Sequence, residues 1–156
     1  MSILTRYRLV LGLFIVGLVL SGVTAFPLRW EMDLIDRAMG EHSIWVRTIA
    51  AGLRDADIRY PWFAYGTDWL AFAHLAIAVF FIGPLVDPAR NVWVLWAGVI
   101  CCGGVLPVAF IAGAVRGIPW WHQLVDCSFG ILGVLPLLYC IHMTSQIQTS
   151  KTAHPA

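Results

Sequence analysis

This sequence of 156 residues contains four long apolar stretches. The first and third, residues 9–26 and 92–115, contain no charged residue at all. A helix needs about 20 apolar residues to cross the hydrocarbon core of a bilayer, so both stretches are long enough to span a membrane. Together with residues 69–86 and 124–143, they predict four transmembrane helices.

The overall composition agrees with this interpretation. Hydrophobic residues make up 60% of the chain and charged residues 12%, against about 25% charged in a soluble domain. So few polar residues cannot cover the surface of a water-soluble globule. We therefore predict an all-α integral membrane protein, one domain over residues 1–156, folded as an antiparallel four-helix bundle.

The expected location is multi-pass, in a bacterial-type inner or plasma membrane. The net charge is +1 and the chain has no run of basic residues, so nothing in it points to nucleic acid as a partner. The first apolar stretch follows Arg6 and Arg8, and residues 23–25 resemble a cleavage site. A cleaved signal peptide is therefore an alternative, but the apolar run exceeds the usual signal length and favours an anchor.

Residues 27–67 lie between the first two spans and carry most of the charged residues of the chain. Apolar residues recur there at helical spacing on both sides of Gly40: Met32, Ile35 and Met39 before it, and Trp45, Ile49 and Leu53 after it. This pattern predicts one or two short amphipathic helices on the membrane surface. An aromatic cluster typical of the water interface follows, and the polar tail of residues 144–156 is expected to fray.

The sequence also predicts one polar cluster. In four antiparallel spans, the ends of helices 1 and 3 and the starts of helices 2 and 4 meet at one membrane face. Asp68, His74, Arg116, His122 and Asp126 lie near these ends. Because ionisable groups are costly inside a membrane, they are usually paired or functional.

We assign candidate roles on this basis. His122 and Asp126 stand at i and i+4 on one helix face, where a carboxylate can orient an imidazole for acid–base chemistry. The predicted catalytic residues are His74, His122 and Asp126. The predicted substrate-binding residues are Arg116, Asp68, Tyr65 and Trp121, around a pocket beneath the first loop.

Six of these seven residues also have a purely structural interpretation. Asp68 would be the N-cap of helix 2, and an Arg116–Asp126 ion pair would join helices 3 and 4. Trp121 and His122 would anchor the interface, and His74 would donate a hydrogen bond that packs helices together.

Three functions follow from these alternatives. The first is a membrane enzyme or binding protein for a lipid-like or small apolar molecule. The second is a non-catalytic subunit that forms homo- or hetero-oligomers through the glycine-rich helices 3 and 4. The third, with the weakest support, is a haem-binding anchor that uses His74 with His122 or His142, whose depths match poorly. We expect no metal site, and the four cysteines are interpreted as small hydrophobic residues.

Overall fold

The computed structural model describes the backbone of residues 1–153 and the side chains of residues 1–149. This part of the chain is helical, without strands. Four segments are long and apolar enough to cross a membrane: Ile3–Ala25, Pro61–Val86, Val92–Val115 and Trp120–Thr149. Length and composition thus confirm four candidate membrane spans in the helical part of the chain that the structure describes.

The elements follow one another along the chain with short connections. They are α1 (Ile3–Ala25), α2 (Leu28–Met39), α3 (Ile44–Arg59), a 3₁₀ turn (Pro61–Phe63), α4 (Ala64–Phe80), α5 (Ile82–Val86), α6 (Val92–Val115) and α7 (Trp120–Ala153).

Several helices extend beyond the predicted spans, and α7 also begins earlier, at Trp120. Helix α1 begins at Ile3, six residues before the uncharged run. The second span begins at Pro61 with a 3₁₀ turn, rather than at residue 69. Helix α7 continues to Ala153, so the tail does not fray at residue 144, and residues 154–156 lie outside the described part. Thr144 is compatible with this helix because its buried hydroxyl donates to the Cys140 carbonyl at 2.9 Å.

The chain forms two compact units, residues 16–78 and residues 1–15 with 79–156. We refer to them as the hairpin unit and the α6–α7 unit, and each is described by itself. The antiparallel order of all four spans stays a prediction.

In the α6–α7 unit, the two long helices pack closely where glycines remove side-chain bulk. A Cβ atom on Gly130 would lie 2.6 Å from the Cys102 carbonyl oxygen, and one on Gly133 would lie 2.8 Å from the Cys102 sulfur. The glycine face that follows Asp126 along α7 therefore accommodates the backbone of α6. By contrast, a Cβ atom on Gly103 of α6 would meet nothing within 4 Å.

A glycine turn reverses the chain between α6 and α7. Gly117 has a φ of +66°, a conformation that glycine adopts without steric cost. The Ile118 amide donates to the Gly113 carbonyl at 2.9 Å, and the Gly117 amide donates to Ala114 at 3.3 Å. This is the Schellman arrangement, which ends α6 and leads directly into α7.

The start of α1 is anchored in the same unit. The Tyr7 hydroxyl donates to the Pro84 carbonyl at 2.9 Å, and both residues are buried. Phe14 and Phe81 make an edge-to-face contact with ring centroids 4.9 Å apart. A buried hydrogen bond and an aromatic contact thus join α1 to the segment around α5.

Candidate functional site

The hairpin unit contains the charged segment between the first two spans. Helix α2 ends at Met39 and Gly40 follows, as predicted, and Ser43 caps α3 by accepting a hydrogen bond from the Val46 amide at 3.3 Å. Arg47 donates to the Gly40 carbonyl at 2.8 Å. These local contacts make a tight turn, so α2 and α3 form a helical hairpin.

Ion pairs join the two helices of the hairpin. Arg29 on α2 contacts Asp57 on α3. Arg54 on α3 bonds Asp33 at 2.6 Å and Asp36 at 3.2 Å. The paired residue numbers rise on one helix as they fall on the other, so α2 and α3 run in opposite directions.

The Arg54 guanidinium is the centre of this network. The hydrogen bond to Asp33, and to a lesser extent the one to Asp36, raises the pKa of Arg54 above its ordinary value. All three side chains are partly exposed, so water screens these attractions. We infer that the main role of these ion pairs is to fix the position of α2 relative to α3.

A cavity of about 460 Å³ opens beside the ion pairs. All its lining residues belong to the hairpin unit. Apolar groups form most of the wall, and the polar side chains are Arg29, Asp33, Asp57 and Thr67. Small-molecule sites typically measure about 300–1,000 Å³ and combine apolar walls with a few polar groups. The apolar lining consists of Phe26, Pro27, Leu28, Trp30, Leu53, Ala56, Phe63 and Ala64.

A second, more open cavity of about 250 Å³ shares the Phe26 wall. Its other lining residues are Tyr65, Asp68, Trp69 and Phe72. The rings of Tyr65 and Trp69, and those of Trp69 and Phe72, meet edge to face with centroids 6.0 Å apart. Since these residues are three or four apart on α4, they form an exposed aromatic stripe along the helix.

Asp68 is not the N-cap of its helix, contrary to the structural alternative. Helix α4 begins at Ala64, one turn earlier, because the turn at Pro61 starts the span sooner than its apolar run suggests. The Asp68 carboxylate is half-buried and has no hydrogen-bond partner in the described residues. It faces the second cavity as an acceptor without a donor.

His74 lies one and a half turns further along α4. Its Nδ1 atom lies 2.8 Å from the Leu70 carbonyl oxygen. A carbonyl can only accept, so Nδ1 donates a proton to this bond. This bond stays within one helix, so it does not pack helices together; a catalytic role of His74 stays a prediction.

The remaining candidates belong to the α6–α7 unit. His122 Nε2 and Asp126 Oδ1 are 3.9 Å apart on α7, and the ring of Trp121 meets that of His122 edge to face. Arg116 is exposed at the end of α6 and makes no ion pair in the described part of the chain. The expected Arg116–Asp126 pair was therefore wrong: the Asp126 carboxylate is closer to the imidazole one turn away.

The candidates thus divide between the units. Tyr65, Asp68 and His74 belong to the hairpin unit, and the convergence of all seven residues on one pocket stays a prediction. No three His, Cys, Asp or Glu residues are grouped to hold a metal ion between residues 1 and 149.

Sequence reasoning missed Phe26, Arg29 and Asp57, which line the larger cavity. The signal for them was weak: Arg29 and Asp57 are distant in sequence, and only the hairpin brings them together. Their positions on two facing helices were recognisable only once the antiparallel pairing was known. Comparison with protein-family models, with curated proteins and with solved structures finds no match for this chain.

Proposed function

We propose that this protein is a membrane binding protein for a lipid-like amphiphile, held in the two cavities of the hairpin unit. The observation that carries the proposal is the larger cavity, where aromatic walls adjoin the Arg29–Asp57 ion pair. An amphiphile needs this combination, because its apolar part and its polar head must both be satisfied.

The two cavities suit the two parts of such a ligand. The polar groups are concentrated in the larger cavity, whereas the smaller one is almost wholly apolar apart from Asp68. Phe26 is the wall they share. We propose that the head group binds near Arg29 and Asp57 and extends past Phe26 to Asp68, and that the chain follows the aromatic stripe beyond it along α4.

The charges favour a head group rich in hydrogen-bond donors. One cation, Arg29, and three carboxylates, Asp33, Asp57 and Asp68, line the two cavities. Asp33 and Asp57 already accept bonds from arginines, whereas Asp68 has no donor in the described residues. A ligand with hydroxyl or ammonium groups would satisfy Asp68, and a purely anionic one would be repelled.

The location of the hairpin is part of the same proposal. On α2, Trp30, Leu34, Ile35 and Met39 are exposed, whereas the ion-pairing residues face α3. We propose that this apolar face lies in the membrane interface, so that α2 and α3 are the predicted amphipathic helices. We also propose that the four spans form an antiparallel bundle and that the protein lies in a bacterial-type inner or plasma membrane.

Native mass spectrometry of the full chain, released from detergent, tests the binding. We expect wild type to retain a lipid-like molecule. Ala56→Trp fills the larger cavity and should lower its occupancy at least fivefold, while Ala51→Trp, on the exposed side of the same helix, should not. Equal occupancy in the two variants would refute the cavity as the binding site.

A second pair of variants tests the head group. Asp68→Asn removes the unpartnered carboxylate, and Asp55→Asn removes an exposed carboxylate of α3 that bonds Arg59. We expect weaker retention only for Asp68→Asn. If wild type carries no small molecule but copurifies with another membrane protein, the non-catalytic subunit is the better interpretation.

The distance between His122 and Asp126 supports a second candidate, acid–base chemistry on a small molecule bound within the α6–α7 unit. His122 and Asp126 would then transfer the proton, and Arg116 and Trp121 would contact the substrate; a catalytic role of His74 is a separate proposal for the hairpin unit. Conversion of the retained molecule by wild type, lost in Asp126→Asn at unchanged melting temperature, would support it. An optical spectrum of the same sample tests the haem alternative through the presence of a Soret band.

A further inference from the structure

The α6–α7 unit has a cavity of its own, which none of the predicted catalytic or substrate-binding residues lines. It measures about 380 Å³ and lies between the first turns of α1 and residues 139–146 in the second half of α7. The buried side of this cavity is apolar, because the Met143 side chain there is buried. Its lining includes Ile3, Arg6, Tyr139, His142, Met143 and Gln146.

The polar groups of this cavity are predominantly hydrogen-bond donors. Arg6 makes no ion pair, and the Tyr139 hydroxyl has no partner, within the part of the chain that the structure describes. His142 Nε2 lies 2.9 Å from the Gln146 amide nitrogen. Because that amide nitrogen can only donate, Nε2 accepts and the His142 Nδ1–H remains a donor.

This set of donors selects one kind of ligand. The lining has one cationic side chain and no carboxylate, so it would repel a cation and attract an anion. A guanidinium, a phenol and an imidazole N–H together match the oxygens of a phosphate group, for which arginine provides bidentate bonds. The volume is at the lower end for small-molecule sites and suits a head group rather than a whole lipid.

We propose that this cavity binds the phosphate group of an anionic phospholipid. The site lies at the ends of two candidate membrane spans, Ile3–Ala25 and Trp120–Thr149. Phospholipid phosphates lie at that depth, where the hydrocarbon ends and polar side chains begin. Ile3 and Met143 would contact the apolar part next to the head group. The proposal is independent of the amphiphile site, which belongs to the other unit.

Lipid retention by the full chain in detergent tests this site. The probes are phosphatidylglycerol and phosphatidylcholine with identical acyl chains, measured in competition by native mass spectrometry. Arg6→Gln should lower the preference for phosphatidylglycerol by about tenfold or more, the usual effect of losing a charged hydrogen bond. The matched control is Arg8→Gln, since Arg8 is also exposed on α1 but does not line the cavity.

A second variant keeps the charge. Tyr139→Phe removes only the hydroxyl and should weaken phosphatidylglycerol retention about two- to tenfold. Displacement of the lipid by inorganic phosphate would support a site that recognises phosphate from solution as well. Failure of phosphate to displace it would support recognition of the head group within the bilayer. Equal effects of Arg6→Gln and Arg8→Gln, or no preference for phosphatidylglycerol in wild type, would overturn the proposal.

Discussion

Replacing Gly130 by alanine should separate the two long helices of the α6–α7 unit. The added Cβ would lie 2.6 Å from the Cys102 carbonyl oxygen, whereas a carbon–oxygen contact normally measures about 3.3 Å or more. The obstacle is backbone, so α6 and α7 must move apart by about 0.7 Å at this point. A gap of about this size removes roughly a quarter to a half of the van der Waals attraction across a contact.

The expected cost is about 1–3 kcal/mol, the usual range for an overpacked core. Reversible unfolding in detergent mixed with sodium dodecyl sulfate, followed by circular dichroism, measures it. The matched control is Gly103→Ala, on α6, where an added Cβ meets nothing within 4 Å; its stability should stay within about 0.5 kcal/mol of wild type. Equal stability of the two variants would show that the close approach at Gly130 does not hold the helices together.

Two further predictions concern single contacts. Tyr7→Phe removes the buried hydrogen bond to the Pro84 carbonyl and should lower the free energy of unfolding by about 1–3 kcal/mol, whereas no loss would mean that Pro84 finds another donor. Arg54→Gln should raise amide hydrogen exchange in α2, because the ion pairs to Asp33 and Asp36 are lost. The pKa of Arg54 is raised in the folded state, so its contribution is complete below the ordinary arginine pKa and falls only as the pH rises beyond it. The difference in exchange protection between wild type and Arg54→Gln should therefore be constant between about pH 6 and pH 9, and a change in that difference over this range would contradict the assignment.

The spans were predictable because membrane insertion depends on a simple quantity, the length of an uncharged apolar run. Residues 92–115 form a helix with those bounds. The break at Gly40 was equally visible, since glycine ends the apolar periodicity there. The i, i+4 relation of His122 and Asp126 also followed from helical geometry alone.

The errors arose where polar sequence is compatible with more than one structure. Helix α7 continues past Thr144 because the hydroxyl bonds within its own helix and Ile147 remains buried. Aspartate is a frequent N-cap residue, so Asp68 was a reasonable candidate. The turn at Pro61, however, starts the helix earlier. Neither the Arg54 network nor the cavity beside it could be predicted, because both depend on the register between α2 and α3.

The length of α7 has a mechanical consequence. Its 34 residues extend about 51 Å at 1.5 Å per residue, whereas the hydrocarbon core of a bilayer is about 30 Å thick. A helix that crosses with little tilt therefore projects by roughly 20 Å. Pro136 lies between this outer end and the glycine contact with α6. Because a proline inside a helix removes a backbone hydrogen bond, a force or a bound protein at the outer end would bend α7 at Pro136 before it reached that contact.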